Sequence, residues 1–474
     1  MYYSDEIINE VLGNYDIVDV VSGYVSLKKS GKDYTGLCPF HREKTPSFHV
    51  SADKQVYYCF GCGVGGSAVN FVMKAENLDF VESLKLLADR AKISLPEPET
   101  GNDAAGEIYE RKQRMYKANA LAAHYFYDCL FSQAGLQAMQ YFDNRRLNKK
   151  TITAFGLGFA PNTKTGLIDY LKQHGYSPDE LVLCGLAVVK NDNTIDKFRN
   201  RIMFPIIDVR GNVIGFGGRV MDDSVPKYLN SPETLVFNKS KNLYALNFAK
   251  NAKSDTIILV EGYMDVISLH QAGITHTVAT LGTAIGEDQA KLLCRYANVI
   301  AICYDTDTAG RAAAMRAIDI IGSVGGRAKV ITLPDAKDPD EYIQKHSATA
   351  FVNLINTAPV STRYKLDELK RKYNIDIIEE KIQFAGEAAK VLAALENPIE
   401  IDAYANELAN VCDIKSEALY GEIKRIRAKT SRFKKTVPKT LKPVSEQSDE
   451  GSFQTFLNTE ASPRLVNSEK LLLN

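Results

Sequence analysis

Thr256-Ile257-Ile258-Leu259-Val260-Glu261-Gly262 decides how this chain is read: five apolar or β-branched residues stop on a carboxylate. The same event recurs twice. Val299-Ile300-Ala301-Ile302-Cys303-Tyr304 stops on Asp305-Thr306-Asp307, and Lys329-Val330-Ile331-Thr332-Leu333 leads through Pro334-Asp335 to Asp338-Pro339-Asp340. Helix-like segments at 264–271, 287–296 and 310–321 lie between or after these runs. Short apolar runs alternating with helical patterns predict a parallel sheet with crossover helices. Such sheets bind ligands beyond the carboxyl ends of their strands, where all of these acids stand. A single Asp there usually only shapes a loop. Carboxylates repeated at three strand ends repel one another and raise each other's pKa. Divalent metal relieves that repulsion, and an all-oxygen set suits Mg²⁺ or Mn²⁺.

The pattern resembles the Toprim domain shared by bacterial primases, topoisomerases and some nucleases. The resemblance rests on Val260-Glu261-Gly262-Tyr263-Met264-Asp265, on Tyr304-Asp305-Thr306-Asp307-Thr308-Ala309-Gly310-Arg311, and on Leu333-Pro334-Asp335 with Asp338-Pro339-Asp340. It leaves the chemistry open, and the rest of the chain must choose.

At 474 residues the chain is too long for one core, and three or more domains are expected. Lys and Arg balance Asp and Glu at 58 each, so any nucleic-acid surface must be a local basic patch. The first residues lack the basic and apolar regions of a signal peptide. No apolar run approaches the ~18 residues of a membrane span. The eight cysteines stand mostly alone, as reduced thiols of a cytoplasm do. A soluble, cytoplasmic, monomeric protein is expected.

Three of those cysteines cluster with a histidine. Cys38-Pro39-Phe40-His41 is followed, after a hairpin-length insert, by Cys59-Phe60-Gly61-Cys62. Two such pairs on tight turns match a closed tetrahedral Zn²⁺ site, structural rather than catalytic. The insert alternates as two strands with a turn at Ala52-Asp53-Lys54. Lys28, Lys29, Lys32, Arg42, Lys44 and Lys54 interleave with Phe48, Tyr57, Tyr58 and Phe60. A basic, aromatic face of this kind suits single-stranded DNA, although some of these rings must fill the ribbon's own core. The blocks at 38–48 and 58–63 are similar to the zinc-binding domain of bacterial replicative primases of the DnaG type. Helical patterns at 68–73 and 80–91 would complete it. A Pro-, Gly- and acid-rich linker follows at 95–103.

Residues 108–147 read as long helices, and a strand-rich part follows. In the latter, Arg210-Gly211-Asn212 turns a hairpin into Val213-Ile214-Gly215-Phe216-Gly217-Gly218-Arg219. No helix opens after these glycines, so they mark a bulge or a close backbone approach rather than a dinucleotide fingerprint. Arg199-x-Arg201-x-Met203-Phe204-Pro205, Gly215–Arg219 and Pro226–Thr234 resemble the amino-terminal part of the primase catalytic core. The resemblance implies a nucleotide- and template-binding groove lined by Arg145, Arg219, Lys227 and Lys239. Arg199 and Arg201 join this candidate set. Arg146 stands where the family usually has glycine; Thr306 and Thr308 stand where it more often has glycine and arginine.

After the acidic region, 341–430 is helical in pattern. From Lys424 to Lys442 nine Lys or Arg occur with no acid, the pattern of a solvated tail. Ser468–Leu473 looks like the first turns of a further helical domain, so the family's helicase-interaction domain is expected to be nearly absent. The expected layout is multidomain, α+β and α/β. A zinc ribbon spans 1–95 and a linker 96–110. The α+β part of an RNA polymerase core spans 111–250, and a Rossmann-like parallel Toprim sheet 251–340. A helical bundle spans 341–430, and 431–474 is linker and the start of a cut-short domain.

The resemblance implies a primase that makes short RNA primers from ribonucleoside triphosphates on single-stranded DNA, with a replicative helicase as its partner. The implied chemistry is two-metal nucleotidyl transfer. Glu261, Asp305, Asp307, Asp338 and Asp340 are the candidate catalytic Mg²⁺ or Mn²⁺ ligands, with Glu261 also a candidate base. Asp265 and Asp335 rank second, because Asp265 falls in a first helical turn, where an acid also serves as a cap. Cys38, His41, Cys59 and Cys62 are the zinc ligands. A topoisomerase would need a strand-passage domain for which there is no room. A helicase fusion would need Gly-x-x-x-x-Gly-Lys-Ser/Thr, which does not occur. A DNA-binding protein with an inert Toprim is the alternative of a different class.

Overall fold

The computed structural model describes residues 5–93 except 42, 44, 77 and 79, then 95, 104–252 and 254–436. Arg42, Lys44, most of the expected linker and the segment 437–474 therefore lie outside the described residues. The chain divides into two units, one holding residues up to Tyr109 and the other Glu110–Thr436.

In the first unit, helices α1 (Asp5–Gly13) and α2 (Ile17–Ser22) precede a sheet of β1 (Lys28–Ser30), β2 (Asp33–Gly36), β3 (Phe48–Ser51), β4 (Val56–Cys59) and β5 (Gly65–Gly66), paired in chain order. Helices α3 (Ala68–Glu76) and α4 (Phe80–Ala91) follow. Side chains alternate across a strand, and here Phe48, Val50, Tyr57 and Cys59 point inward and are fully buried. Phe48 stacks on Tyr57 with centroids 5.3 Å apart, and Phe71 of α3 meets Tyr57 edge-on at the same distance. This sorts the expected aromatic set: Phe48 and Tyr57 are the rings that fill the ribbon's core, and a ring with no exposure cannot stack on a base. Tyr58 and Phe60, with His49, form the opposite face.

The second unit opens with α5 (Ala104–Leu130), taken from Glu110, then α6 (Leu136–Asn144) and α7 (Lys149–Ala154). An antiparallel sheet follows with order β11-β10-β9-β6, its strands being β6 (Gly158–Ala160), β9 (Arg201–Ile207), β10 (Val213–Val220) and β11 (Tyr228–Asn230). Inserted before β9 are α8 (Gly166–Gln173), α9 (Pro178–Leu183) and the hairpin β7 (Ala187–Lys190)–β8 (Asn193–Asp196). Both readings of the β10 glycines hold. The β9–β10 register shifts between Val213 and Gly215, and a Cβ at Gly217 would fall 2.6 Å from the Tyr263 ring.

After α10 (Leu246–Ala249) comes the parallel sheet of β12 (Thr256–Val260), β13 (Thr277–Ala279), β14 (Val299–Ile302) and β15 (Ala328–Val330), ordered β13-β12-β14-β15. Helices α11 (Tyr263–Gln271), α12 (Glu287–Tyr296) and α13 (Thr308–Ser323) make the crossovers. Ile258 and Val260 pack into one core with Phe204 and Tyr263, while Ile257 and Leu259 pack into another with Ile300 and Ile318. A strand covered on both faces reads as an unbroken apolar run, which is how β12 appears in the sequence. The strand order reverses between β12 and β14, and there the crevice for a ligand opens.

Helices α14 (Pro339–Lys345) and α15 (Ala348–Thr357) lead to a bundle of α16 (Ser361–Lys370), α17 (Ile378–Ala393), α18 (Pro398–Cys412) and α19 (Ser416–Thr436). It has its own core around Phe384, Leu392, Ala405 and Leu419. The start of the expected tail is thus helix as far as Thr436.

Candidate active site and zinc centre

In the first unit the potential ligand atoms of Cys38, His41, Cys59 and Cys62 all lie within 4.8 Å of one another. Zn–S bonds of about 2.3 Å at tetrahedral angles separate sulfurs by roughly 3.8 Å. Cys38 Sγ and Cys62 Sγ are 3.9 Å apart, and Cys59 Sγ is 3.6 Å from His41 Nδ1. The donor set and its spacing fit zinc. Glu43, given no role in the sequence reading, holds the arrangement from behind. Its carboxylate accepts the Cys38 and Ser47 backbone N–H groups at 2.8 and 3.0 Å and stands 3.4 Å from His41 Nε2. That contact orients the ring so that Nδ1 faces the sulfurs. Gly61 leaves room for it, since a Cβ there would sit 2.4 Å from His41 Nε2.

In the second unit the acids at the strand ends are brought together as a looser group. Among the described residues, the cysteine–histidine set is the one in which three or more such ligand atoms draw as close as 4.8 Å. Glu261 follows β12 and Asp305 follows β14, on either side of the switch point. Asp307 caps α13 by accepting the Gly310 N–H at 2.7 Å, and Asp338 caps α14 by accepting the Glu341 N–H at 2.8 Å. Glu261 is half-buried, and its Oε1 is buried with no hydrogen-bond partner. Burial, then Asp305, pushes the Glu261 carboxyl above its ordinary range. Burial, then Asp338 and Asp307, does the same to Asp305, against Lys337 and Lys227. The Asp305 backbone N–H is the one donor set against the rise at Glu261, and an unpartnered buried Oε1 among carboxylates that repel one another fits a divalent cation.

Two other acids have different roles. Asp265 is buried and raised well above its usual range by burial, then by Asp338; it accepts the Gly262 N–H at 3.1 Å as a cap. Asp335 pairs with His346 at 2.9 Å on the surface. Asp340 is more deeply placed than the other acids. It is 1% exposed, and its carboxylate pairs with Arg145 and accepts from Ser268 Oγ at 2.5 Å and Gln344 Nε2 at 2.9 Å. Both of its oxygens have partners in the structure.

The same pairing draws one guanidinium nitrogen of Arg145 to Asp340, and the Arg145 side chain stays 31% exposed beside it. Arg201 is turned away from solvent. It is 7% exposed and donates to the carbonyls of Gly218, at 3.1 Å, and Pro226, at 3.0 Å, clamping the loop before β11. That clamp positions Lys227, which is exposed and acts electrostatically on Asp305. Arg219 lies over the rings of Tyr141 and Tyr228, at 4.7 and 5.8 Å. Arg199 donates to the Asp196 carbonyl at 2.6 Å, and burial, then the charge of Lys239, lowers the pKa of half-buried Lys197. Lys197, two residues from Arg199, and Lys337, alone among acids, are cations outside the sequence-based candidate set. Thr306 binds the two acidic loops together: its N–H donates to the Lys337 carbonyl at 2.9 Å and its hydroxyl to the Ala336 carbonyl at 3.3 Å.

Four family models match the chain. Residues 3–103 match the CHC2 zinc finger, 125–250 the N-terminal domain of the DNA primase catalytic core, and 258–343 Toprim-like domains. Residues 362–417 match the DnaB-helicase binding domain of primase. The last match corrects the expectation that this domain is nearly absent: it begins in α16, within what reads by pattern alone as a capping bundle. Together with the site, these matches define a template-directed nucleotidyltransferase built on a Toprim sheet.

The chain is 47% identical over 418 residues to the DNA primase of Clostridium acetobutylicum, covering 88% of this chain and 69% of that protein. It is 38% identical over 476 residues to that of Geobacillus stearothermophilus, covering 99% and 77%. Among solved structures it is similar to the zinc-binding and RNA polymerase domains of Aquifex aeolicus primase, with TM-score 0.56, 33% identity and 87% and 98% of the two chains covered. It is also similar to a DnaG primase catalytic domain bound to single-stranded DNA, with TM-score 0.57, 34% identity and 65% and 99% covered. The chain belongs to the DNA primase family, DNA-directed RNA polymerases that lay short RNA primers on single-stranded DNA. No helix among the described residues is long and apolar enough to cross a membrane.

Proposed function

We propose that Glu261, Asp305, Asp307 and Asp338 hold the catalytic divalent cations, Mg²⁺ or Mn²⁺, for primer synthesis. The observation that carries this is the partnerless, buried Glu261 Oε1 facing the Asp305 and Asp307 charges. In the reaction a ribonucleotide 3′-hydroxyl attacks an α-phosphate and pyrophosphate leaves. Bound cations would neutralise charge on the entering and leaving oxygens. This chain's own residues do the placing. Asp307 and Asp338 are fixed by capping bonds, and Thr306 keeps their two loops in register. Lys227, Arg219, Arg199 and Lys239 bind template and triphosphate phosphates, whose charge they match. Arg145 and Asp340 brace the carboxylate side of the groove.

In the first unit, the face bearing Tyr58 and Phe60 contacts single-stranded DNA, as the two rings not claimed by the core. The segment 362–417 docks a replicative helicase; Ile378 and Ile382, one turn apart on α17, are 66% and 65% exposed and offer it an apolar patch. Mn²⁺ binding to the zinc-loaded chain tests the ligand reading, with Glu261→Gln as the variant. We expect at least a 10-fold loss of affinity; unchanged binding would move the ligand site elsewhere.

A further inference from the structure

The helicase-binding segment does not stand apart from the Toprim sheet. Tyr364 of α16 is 6% exposed and packs in the same core as Ala314 and Ala317 of α13. Lys365 pairs with Asp319 of α13 at 2.5 Å, and the Val330 N–H of β15 donates to the Pro359 carbonyl just before α16, at 3.1 Å. One contact of this seam reaches the acidic loop itself. Arg311, in the first turn of α13, donates to the carbonyl of Thr306, the residue between Asp305 and Asp307. A second guanidinium nitrogen donates to Thr308 Oγ1 at 3.3 Å. On its far side, Arg311 Nε lies 3.8 Å from Glu368 Oε2 of α16. Glu368 is 9% exposed, and its other oxygen pairs with Arg371 at 2.5 Å. A cavity of about 200 Å³ lies along this seam, with Asp305, Thr306, Arg311, Tyr364 and Arg371 among its lining.

Taking Asp305 and Asp307 as cation ligands, we propose that Glu368 is a positioning residue for them and works through Arg311. A guanidinium donates in fixed directions within one plane. An anion behind Arg311 therefore sets where its front donors hold the Thr306 carbonyl, and so where the flanking carboxylates stand. Glu368 belongs to the helicase-binding match, so whatever docks on that segment acts on the same helix that supports the catalytic loop. A ligand on the bundle that moved α16 would change cation affinity, and by reciprocity the cation would change that ligand's affinity by the same factor.

The test is Mn²⁺ binding by electron paramagnetic resonance on the zinc-loaded full chain, beside the metal dependence of primer synthesis. Glu368→Gln keeps the shape and removes the charge. We expect it to weaken Mn²⁺ binding about 10-fold, the usual size of an outer-shell effect. The metal concentration for half-maximal synthesis should rise by the same factor, with the rate at saturating metal within about 2-fold. Arg311→Gln should match it, and the double variant should be no worse than either, since the two act in series. Lys365→Ala breaks the neighbouring ion pair of the same seam and should leave Mn²⁺ affinity unchanged, which separates positioning from loosened packing. Glu368→Gln with unaltered Mn²⁺ binding, or Lys365→Ala matching its loss, overturns the proposal. Asp305→Asn run in parallel distinguishes the two levels: if it too leaves Mn²⁺ binding intact, the ligand reading fails first.

Discussion

The zinc cluster and the Toprim carboxylates, the proposed cation ligands, are two ways of arranging polar side chains. In the zinc ribbon four donors converge within 4.8 Å, and Glu43 holds the histidine in place. At the Toprim switch point the acids stand further apart, two are engaged as helix caps, and Glu261 keeps a buried oxygen with no partner. The first arrangement is closed and serves the fold. The second is held open against its own repulsion by a sheet whose cores lie elsewhere, so its stability and its chemistry pull in opposite directions.

The largest expected effect that sharpens this contrast is zinc removal. A structural zinc site contributes on the order of 10 kcal/mol, so chelation should abolish hydrogen-exchange protection over 30–70 and leave the second unit's protection unchanged. Protection of the ribbon that survives chelation would break the comparison from the zinc side. Next is Arg145→Ala, which strands the buried Asp340 carboxylate. A loss of about 3 kcal/mol is expected for the second unit, and Asp340→Asn should recover part of it, as read by denaturant melts.

Acid should act on the same unit. Burial lowers the His270 pKa to about 4, against an ordinary 6.5. A depressed folded pKa contributes stability above the unfolded value, and that stability is lost as pH falls from 6.5 toward 4. About 1–2 kcal/mol should be gone at pH 5, and His270→Gln should flatten the profile. The smallest effect is Thr306→Gly. It deletes the hydroxyl bonds to the Ala336 and Lys337 carbonyls and should cost about 1 kcal/mol, seen as a small drop in melting temperature.

What the sequence revealed follows the same division. The zinc ligands are two short local pairs, and the strand-end acids stand out because a doubly covered strand such as β12 is an apolar run with a sharp end. Strand β13 was missed: it is three residues long and begins with Thr277, too short to show a period. The parity of Phe48, Tyr57 and Tyr58 was legible from alternation, but not which parity faces the core. Arg145 and Asp340 meet across 195 residues, and no local pattern encodes such a pair. Arg201 reads as a groove cation because charge is visible in sequence, whereas the carbonyls that it binds are not. The helicase-binding segment passed as a capping bundle because its periodicity reports a helical core and says nothing of its partner.

One measurement bears most directly on the open, self-repelling site: labelled ribonucleotide incorporation on single-stranded DNA with Mg²⁺ or Mn²⁺, for the natural chain and Asp305→Asn, with thermal melts of both. Removing a charge from that cluster should abolish the short RNA products, a loss of at least about 1,000-fold, while leaving the melting temperature equal or higher. RNA products that persist in Asp305→Asn would place catalysis elsewhere. Products lost together with a lower melting temperature would mean that Asp305 supports the fold, contradicting the contrast between the two sites.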